Sequence, residues 1–281
     1  MNLDNTPASL QSQVSGSSFY AGMRVLPKAE REAMYAVYAF CRAVDDIADD
    51  EHKIGDRAER ARQLDRWRGD IEALYAGSDP GQAALVAEAV RRFGLERADF
   101  LAVIDGMAMD VAADIRWVPF ETLDLYCDRV ASAVGRLSVK IFGMEHEPGV
   151  ALSHHLGRAL QFTNILRDVD EDAAIGRVYL AEEHLTAAGI VFTTPLEVVN
   201  HPNIDAACRP LAAKAQAHFA EANRILASRP KGHLIAPRLM AAVYAPILSR
   251  MEKAGWTSPR TRIRTNKPAL ILTALRLWLF R

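Results

Sequence analysis

Two short acidic motifs, far apart in the sequence, constrain the fold of this chain more than any other feature. The first acidic motif is DDIAD at residues 45–49, and the second acidic motif is DVDED at residues 168–172. In both, carboxylates recur at helical spacing within sequence that is otherwise rich in apolar residues. Carboxylates stacked one turn apart repel each other, and away from bulk water they are stable only when water or a cation neutralises them. The pattern therefore predicts two helices that share a polar site.

Further polar residues share a helix face with the carboxylates of each motif. The two faces consist of Tyr38, Arg42, Asp45 and Asp49 around the first motif, and of Gln161, Asn164, Asp168 and Asp172 around the second. Successive members are three or four residues apart, so at roughly 100° per residue they stay within about 60° of one another. Mg²⁺ binds few carboxylates, keeps several waters and completes its shell with phosphate oxygens. Two such faces opposite each other predict a Mg²⁺ site with a diphosphate as ligand.

Apolar residues recur with a helical period along nearly the whole chain, and the alternation typical of strands is nearly absent. Prolines and glycines divide this pattern into about eight to ten helices. Helices are predicted at about 28–49, 58–75, 82–92, 96–114, 121–142, 150–172, 204–227, 234–251 and 269–280, with an irregular segment at 189–203. We predict an all-α fold with one domain at residues 15–281, after a disordered lead-in at residues 1–14.

The charge and the cysteine content of the chain limit its expected binding partners and its expected cellular compartment. The net charge of −1 and the pI near 6.7 give no overall field for nucleic acid or an anionic membrane, so no nucleic-acid partner is expected. The three cysteines are widely spaced and lack a Cys-x-x-Cys pair, which favours neither disulfides nor a thiolate metal site. The chain shows no signal-peptide pattern and no run of the ~18 apolar residues that span a membrane. A cytoplasmic protein is expected.

The C-terminal segment is a local exception to this balanced composition. Residues 269–280 are almost wholly apolar, and basic residues precede them between 260 and 267. One interpretation is a last helix docked on the domain. The alternative is an interfacial anchor, with Trp278 at the level of the lipid headgroups, that holds the protein peripherally on the inner face of the cell membrane. At about 12 residues the segment is too short to span the bilayer.

Two other patterns argue against further cofactor sites. His154 and His155 are neighbours, and neighbouring side chains on a helix diverge by about 100°, so we interpret the pair as structural. None of the histidines follows a glutamate by three residues, the spacing of carboxylate-bridged iron sites. Gly-x-Gly spacing is also absent, which weakens a reductase role without excluding it.

Taken together, several blocks of the sequence resemble the squalene/phytoene synthase family. The blocks are SSFY at 17–20, YAFCRAVDDIAD at 38–49, YCDRVASAVG at 126–135, QFTNILRDVDED at 161–172 and GRVYL at 176–180. They occur in the order of the family and extend over about residues 15–250. Members of that family are helical enzymes that join two isoprenoid diphosphates head to head with Mg²⁺. The resemblance implies an isoprenoid-synthase helical bundle with a central cavity.

The resemblance also implies roles for individual residues. The metal-binding residues would be Asp45, Asp49, Asn164, Asp168 and Asp172, holding two or three Mg²⁺ ions together with the diphosphate. The substrate-binding residues would be Ser18, Phe19, Tyr38, Arg42, Gln161, Asn164, Arg177 and Tyr244. Tyr126 would stabilise charge or relay a proton, and with the four aspartates it would form the catalytic set. Aromatic faces would shield a carbocation, and the candidates are Phe19, Tyr38, Tyr126, Phe162 and Tyr244.

Several of these positions have a simpler alternative. Arg42 is placed either to bind diphosphate or to form an ordinary intrahelical pair with Asp45 or Asp46. Ser18 either touches phosphate or caps the first helix. Asp46 lies about 80° from the shared face, and Asp170 points the opposite way, where relatives commonly have glycine. We expect Asp46 to support the site or face solvent, and Asp170 to be a surface charge.

The opening at residues 15–27 is most similar to bacterial presqualene diphosphate synthases of hopanoid biosynthesis. This implies a prenyltransferase that condenses two farnesyl diphosphates to presqualene diphosphate, releases diphosphate and needs no NADPH. A phytoene or dehydrosqualene synthase and an NADPH-dependent squalene synthase stay open, because chain length depends on pocket depth. A class I terpene cyclase or a non-catalytic prenyl-diphosphate binder is a more remote alternative. The expected partners are prenyl diphosphates and downstream isoprenoid enzymes.

Overall fold

The computed structural model describes residues 23–24, 26–49, 55–112 and 115–263, and within these ranges helices joined by short loops make up most of the chain. The helices are α1 (Lys28–Asp49), α2 (Arg57–Ala76), a 3₁₀ turn (Gly81–Ala83), α3 (Ala84–Phe93), α4 (Arg97–Ala112), α5 (Phe120–Cys127), a π-helical segment (Asp128–Ser132), α6 (Ala133–Ile141), α7 (His146–Arg167), α8 (Val169–Ala174), α9 (Glu182–Ala187), α10 (Pro195–Val199), α11 (Ile204–Ala227) and α12 (Ile235–Ala254). The β-type pairing within them is an isolated bridge between Arg116 and Val178. The predicted all-α class is confirmed.

Three predicted elements differ from the structure. The helix predicted at 121–142 is interrupted by the π-helical segment, and the one predicted at 150–172 ends at Arg167. The segment predicted as irregular contains α10, whose start is fixed by a capping box: the Thr194 side chain accepts from the Glu197 amide, and the Glu197 carboxylate accepts from the Thr194 amide. Pro195 then supplies a φ angle that suits the first helical turn. The prediction of an irregular segment missed this local signal.

The described helices bury two apolar clusters, one formed mainly by the first half of the chain and one by the second. The first core is formed by buried residues of α1 to α4 and α6, where Phe40 contacts Trp67 and Phe100 edge to face at centroid distances of 5.4 and 5.2 Å. The second core is formed mainly by α7, α11 and α12, together with the shorter helices α8 to α10. Helix α7 packs along α11 and also contacts α6. It therefore joins the two halves.

A cavity of about 250 Å³ lies between the two cores. Met34 and Val37 of α1 line it from the first core, and Leu156 and Leu160 of α7 line it from the second. The walls are mostly apolar, and polar groups of α1 and α7 gather at Tyr38, Gln161 and Asn164. An apolar cavity with a few convergent polar groups is the usual form of a small-molecule site.

The wall of the cavity that includes Val130 and Ala131 is packed at backbone distance against α7. A Cβ atom on Gly157 would lie 2.8 Å from the Ser132 Cα atom, so only glycine allows this approach. On the other side, a Cβ on Gly106 would lie 2.5 Å from a methyl carbon of Val130. The π-helical segment is therefore packed tightly between α4 and α7. Segments of π-helix are frequent at functional sites.

Some predictions concern residues outside the described ranges. They are Ser18 and Phe19, the lead-in at residues 1–14, and the helix at 269–280. Among the described helices, none combines the length and the apolar character needed to cross a membrane.

Candidate active site

The first acidic motif occupies the last turns of α1, and its carboxylates are held by two arginines. Asp45 and Asp46 accept hydrogen bonds from Arg42 at 2.7 and 2.6 Å. Arg42 thus forms the intrahelical pair that was the alternative to diphosphate contact. Asp49, one turn further on, accepts from Arg177 at 2.6 Å. Asp46 is exposed, as expected for a carboxylate that points away from the shared face.

The second acidic motif lies across a helix break, and this is a correction to the single helix predicted there. Helix α7 ends at Arg167, and Asp168 has φ −104° and ψ 19° before α8 begins at Val169. The amide of Asp172 still donates to the carbonyl of Asp168 at 2.8 Å, which keeps the two aspartates one turn apart. The last carbonyls of a helix lack partners within it. Here the indole Nε1 of Trp256 donates to the Leu166 carbonyl at 2.9 Å, so the helix can end inside the core.

Arg177 brings the two motifs together. Its guanidinium donates to the Asp49 carboxylate at 2.6 Å and to the Ala48 carbonyl at 2.9 Å, so the loop after α8 is attached to the end of α1. The charge of Asp49 also contributes to the raised pKa of Asp172, which places the second motif within electrostatic reach of the first. The amide of Arg177 also donates to the Asp172 carbonyl at 2.9 Å, so this one residue contacts both acidic motifs.

The electrostatics of this acidic cluster favour a bound cation. Burial, and next the charge of Asp49, raise the pKa of Asp45 to about 6. Burial, and next the charge of Asp168, raise the pKa of Asp172 to about 7. The charged forms are therefore disfavoured in the protein without ligands, and a divalent cation among these oxygens would reverse that penalty.

Asn164 supplies a further oxygen at the same place. Its side-chain Oδ1 is buried and has no hydrogen-bond partner, although such groups are normally satisfied. Asn164 lines the cavity together with Gln161, one turn before Asp168 on α7. Together with the carboxylates of the two motifs, this amide oxygen would make an all-oxygen donor set, which suits Mg²⁺ and other hard cations.

The predicted aromatic residues fall into different environments. Tyr38 lines the cavity, and Tyr244 is buried beside Arg167, with which it shares a hydrogen bond. Tyr126 is buried and donates to Asp110. Phe162 was expected in the wall around the cation, and that expectation is wrong, because its ring packs between Phe120 and His218 at centroid distances of 6.3 and 5.8 Å.

Asp110 is a site residue that sequence reasoning missed. Its carboxylate accepts from the hydroxyl of Tyr126 at 3.0 Å and from that of Tyr179 at 2.7 Å, and the two rings stack at 5.2 Å. Burial raises the pKa of Asp110, while the charge of Arg177 opposes this. The available signal was an aspartate among the apolar residues at the end of α4, a residue type that is rarely buried without partners.

Three arginines hold the second acidic motif in place, and two of them, Arg260 and Arg262, are distant in sequence. Arg167 and Arg262 both bind the Asp168 carboxylate, with contacts of 2.6 to 2.8 Å. Arg260 binds Asp170 at 2.6 and 2.9 Å and donates to the Val199 carbonyl at 2.7 Å. Asp170 is thus a surface charge, as expected. Arg260 and Arg262 belong to the basic run that precedes the apolar C-terminal segment, and both have partners in the second acidic motif.

The chain is similar to known proteins over nearly its whole length. The squalene/phytoene synthase family model matches residues 13–268. A presqualene diphosphate synthase of Zymomonas mobilis is 58% identical over 273 residues, covering 95% of this chain and 92% of that protein. One from Rhodopseudomonas palustris is 51% identical over 269 residues, covering 96% and 95% respectively. A solved dehydrosqualene synthase in complex with ligand superposes with a TM-score of 0.77 at 23% identity, covering 98% of this chain and 95% of that one, and so shares the fold.

Proposed function

Because the chain belongs to the squalene/phytoene synthase family, we propose that it condenses two farnesyl diphosphates head to head into presqualene diphosphate. The observation that carries the proposal is the junction of two acidic motifs through Arg177, beside an apolar cavity between two cores. The two relatives described above, both presqualene diphosphate synthases, support this product over the other products of the family.

The donor set of the site fits Mg²⁺. Asp45, Asp49, Asp168, Asp172 and the unsatisfied oxygen of Asn164 would hold the ions, two or three of them together with the substrate diphosphate. When bound, Mg²⁺ supplies positive charge that stabilises the diphosphate as its bond to carbon breaks. The raised pKa values of Asp45 and Asp172 are consistent with carboxylates placed close together for that purpose.

The arginines of the site have two different tasks in this proposal. Arg177 is largely buried and fixed to α1, so it positions Asp49 and presents a permanent charge to the diphosphate. Arg42 is about half exposed, at 48%, so it can leave its carboxylate partners for a phosphate oxygen. Forked guanidinium contacts suit phosphate geometry. Ser18 remains a predicted phosphate contact on the basis of the family resemblance.

The apolar cavity between the two cores, called the prenyl cavity below, holds the prenyl chains and excludes water from the carbocation. Tyr38 and Gln161 stand at its polar part, and Leu156, Leu160 and Met240 line the apolar part. An aromatic face stabilises positive charge through its quadrupole, and we assign this task to Tyr38, Tyr244 and, from the family resemblance, Phe19. Tyr126 is held by Asp110, so its hydroxyl keeps a fixed position from which it stabilises charge or relays a proton.

The proposed reaction is balanced without a reductant. The C1–oxygen bond of one farnesyl diphosphate breaks and releases diphosphate, leaving an allylic cation. The 2,3 double bond of the second farnesyl diphosphate attacks that C1 atom. Loss of one proton then closes a cyclopropane ring, and the second diphosphate group stays on the product. No hydride is transferred, so NADPH is not required.

Product analysis tests this proposal. Purified enzyme would be incubated with farnesyl or geranylgeranyl diphosphate and Mg²⁺, with and without NADPH, and the products identified by mass spectrometry. We expect a phosphorylated C30 cyclopropane from farnesyl diphosphate, the same product with or without NADPH, and no product after chelation of Mg²⁺. A C30 hydrocarbon or a preference for the C20 substrate would favour the other family activities. A C15 product would indicate a terpene cyclase, and lack of turnover a non-catalytic binder.

The cellular setting is also a proposal. A presqualene diphosphate product requires a downstream isoprenoid enzyme, and hopanoid biosynthesis is the pathway we infer. The product is strongly amphipathic, so a cytoplasmic enzyme held peripherally on the inner membrane face would deliver it directly to lipid. Sedimentation with anionic vesicles, for the full chain and for a chain lacking residues 268–281, tests the anchor. Equal pelleting of the two would contradict it.

A further inference from the structure

Three histidines from two helices meet in a second cavity, apart from the acidic cluster. His154 and His155 belong to α7, and His218 belongs to α11, the helix packed along it. One ring nitrogen from each lies within 4.8 Å of the other two. The cavity has a volume of about 350 Å³ and shares none of its lining residues with the prenyl cavity. We propose that these histidines bind a divalent transition-metal ion such as Zn²⁺.

The distances are close to those of a coordination site. Two nitrogens bound to one tetrahedral zinc ion at 2.0–2.1 Å are about 3.4 Å apart. The Nδ1 atoms of His155 and His218 are 3.0 Å apart, and the widest separation in the group is 4.8 Å. Small rotations of the side chains would therefore bring all three nitrogens within bonding distance. All three side chains are reachable, since His154 is exposed and the others are half-buried.

Imidazole ligands select the class of metal. They favour zinc, copper and nickel ions over Mg²⁺, which prefers oxygen ligands. A neutral imidazole offers a metal ion one ring-nitrogen lone pair. This site and the acidic cluster therefore differ in the ions that they would accept.

The charges around the group allow a cation to bind. Arg158 is the nearest guanidinium, but Asp124 holds it in two hydrogen bonds of 2.8 and 2.9 Å, and Asp128 adds one of 3.1 Å. Lys214 lies over the Phe120 ring at 4.2 Å. These cations already have partners, which makes the cavity a poor anion site.

A fourth ligand is available one turn beyond His218 on α11. Glu221 lines the same cavity, and its carboxylate pairs with Arg224 at 2.8 Å on the exposed surface. It can bind the ion directly or through water after that surface pair opens. His154 must also change partners, because its Nδ1 accepts from Arg158 at 2.9 Å. Arg158 keeps its carboxylate partners and Ser132 when that bond is lost.

Cobalt titration tests the site in the whole enzyme. Protein without a histidine tag would be titrated with Co²⁺ in excess Mg²⁺, which occupies the acidic cluster, and the visible spectrum of imidazole-bound cobalt followed. We expect saturation at one Co²⁺ per chain and displacement by Zn²⁺. His155→Ala or His218→Ala should weaken binding about tenfold or more. The matched control is His146→Ala, an exposed histidine on the same helix, which should bind as the wild type does.

Two further measurements keep the test independent of how well the variants fold. Zn²⁺ should raise the melting temperature of the wild type and of His146→Ala, because an ion that binds the folded state stabilises it. X-ray absorption on the wild-type zinc complex should report at least two imidazole ligands. Lack of saturable binding, fewer than two imidazoles, or unchanged binding in both ligand variants would overturn the proposal. So would metal-independent phosphate binding that the same variants abolish.

Discussion

The two acidic motifs have the same carboxylate spacing and are built in different ways. The first lies on an unbroken helix, and the packing of α1 on the first core fixes where its carboxylates point. The second spans a helix break and is held by arginines and a tryptophan from distant parts of the chain. A local pattern is therefore sufficient to place the first motif, whereas the second depends on tertiary contacts.

Removing one central carboxylate from either motif should have the largest effect. We expect Asp45→Asn and Asp172→Asn each to reduce kcat/KM about 10²–10³-fold, because each removes a charge that would hold Mg²⁺ against the diphosphate. Initial rates across a range of Mg²⁺ concentrations measure this. Circular dichroism should report native helix content in both variants.

The matched control for this pair is Asp46→Asn. Its side chain adjoins Asp45 but points to solvent, where it accepts a hydrogen bond from Arg42. We expect a change in kcat/KM of no more than about twofold, since exposed pairs contribute little. Near-normal activity of either central variant would contradict the shared site.

Arg177 is the link between the motifs, so its loss should affect both. Arg177→Gln leaves Asp49 without its charged donor and leaves the Ala48 carbonyl to Arg60, and we expect the free energy of unfolding to fall by about 1–2 kcal/mol. We expect kcat/KM to fall about 10–100-fold. Denaturant melts and initial rates measure the two effects.

Arg177→Lys separates the two roles of this residue. It keeps the charge and loses the forked geometry, so it should recover part of the stability and less of the activity. Equal recovery of both would mean that Arg177 acts only as a structural link.

Substituting one tryptophan in each core should show that the second acidic motif depends on a tertiary contact and that the first does not. Trp256→Phe removes the hydrogen bond to the Leu166 carbonyl at the end of α7, and about 1–2 kcal/mol of stability should be lost. The Mg²⁺ concentration for half-maximal activity should rise, because the second motif becomes less ordered. Trp67→Phe in the first core should lower stability without changing the Mg²⁺ requirement. Equal Mg²⁺ requirements in the two variants would contradict the comparison.

The smallest effect is expected at the surface of the second motif. Arg260→Gln removes contacts to Asp170 and to the carbonyls of Val199 and Trp256, and should cost about 0.5–1.5 kcal/mol. Thermal melts measure this. Arg91→Gln, which opens an exposed pair with Glu88 within one helix, is the control and should leave the melt unchanged. A melt of Arg260→Gln that matches its control would show that the second motif needs no such support.

Periodicity predicted much of the fold, because it reports which face of each helix is buried. Helix α1 and the residues of its polar face follow from spacing alone, and so do most helix positions. The break at Asp168 does not, since it depends on Trp256, which supplies a hydrogen bond from a distant part of the chain.

Partners from other helices were likewise beyond the reach of local patterns. Asp110 joins the site through two tyrosines from later segments, and His218 reaches His155 from a different helix. The sequence contained each of these residues but not their pairing, because pairing is decided by how the helices pack.

The close contact of Gly157 with the backbone of Ser132 fixes the position of one wall of the prenyl cavity. Helix α7 and the π-helical segment would have to move apart, breaking their backbone contact, before this wall could admit a longer hydrocarbon. Met34 and Met240 also line this cavity, and their unbranched thioether side chains adjust their shape readily. Evolution or design of a different product length would therefore begin with these methionines, and exchanging them should shift the carbon number of the product at lower cost to folding than any change at Gly157.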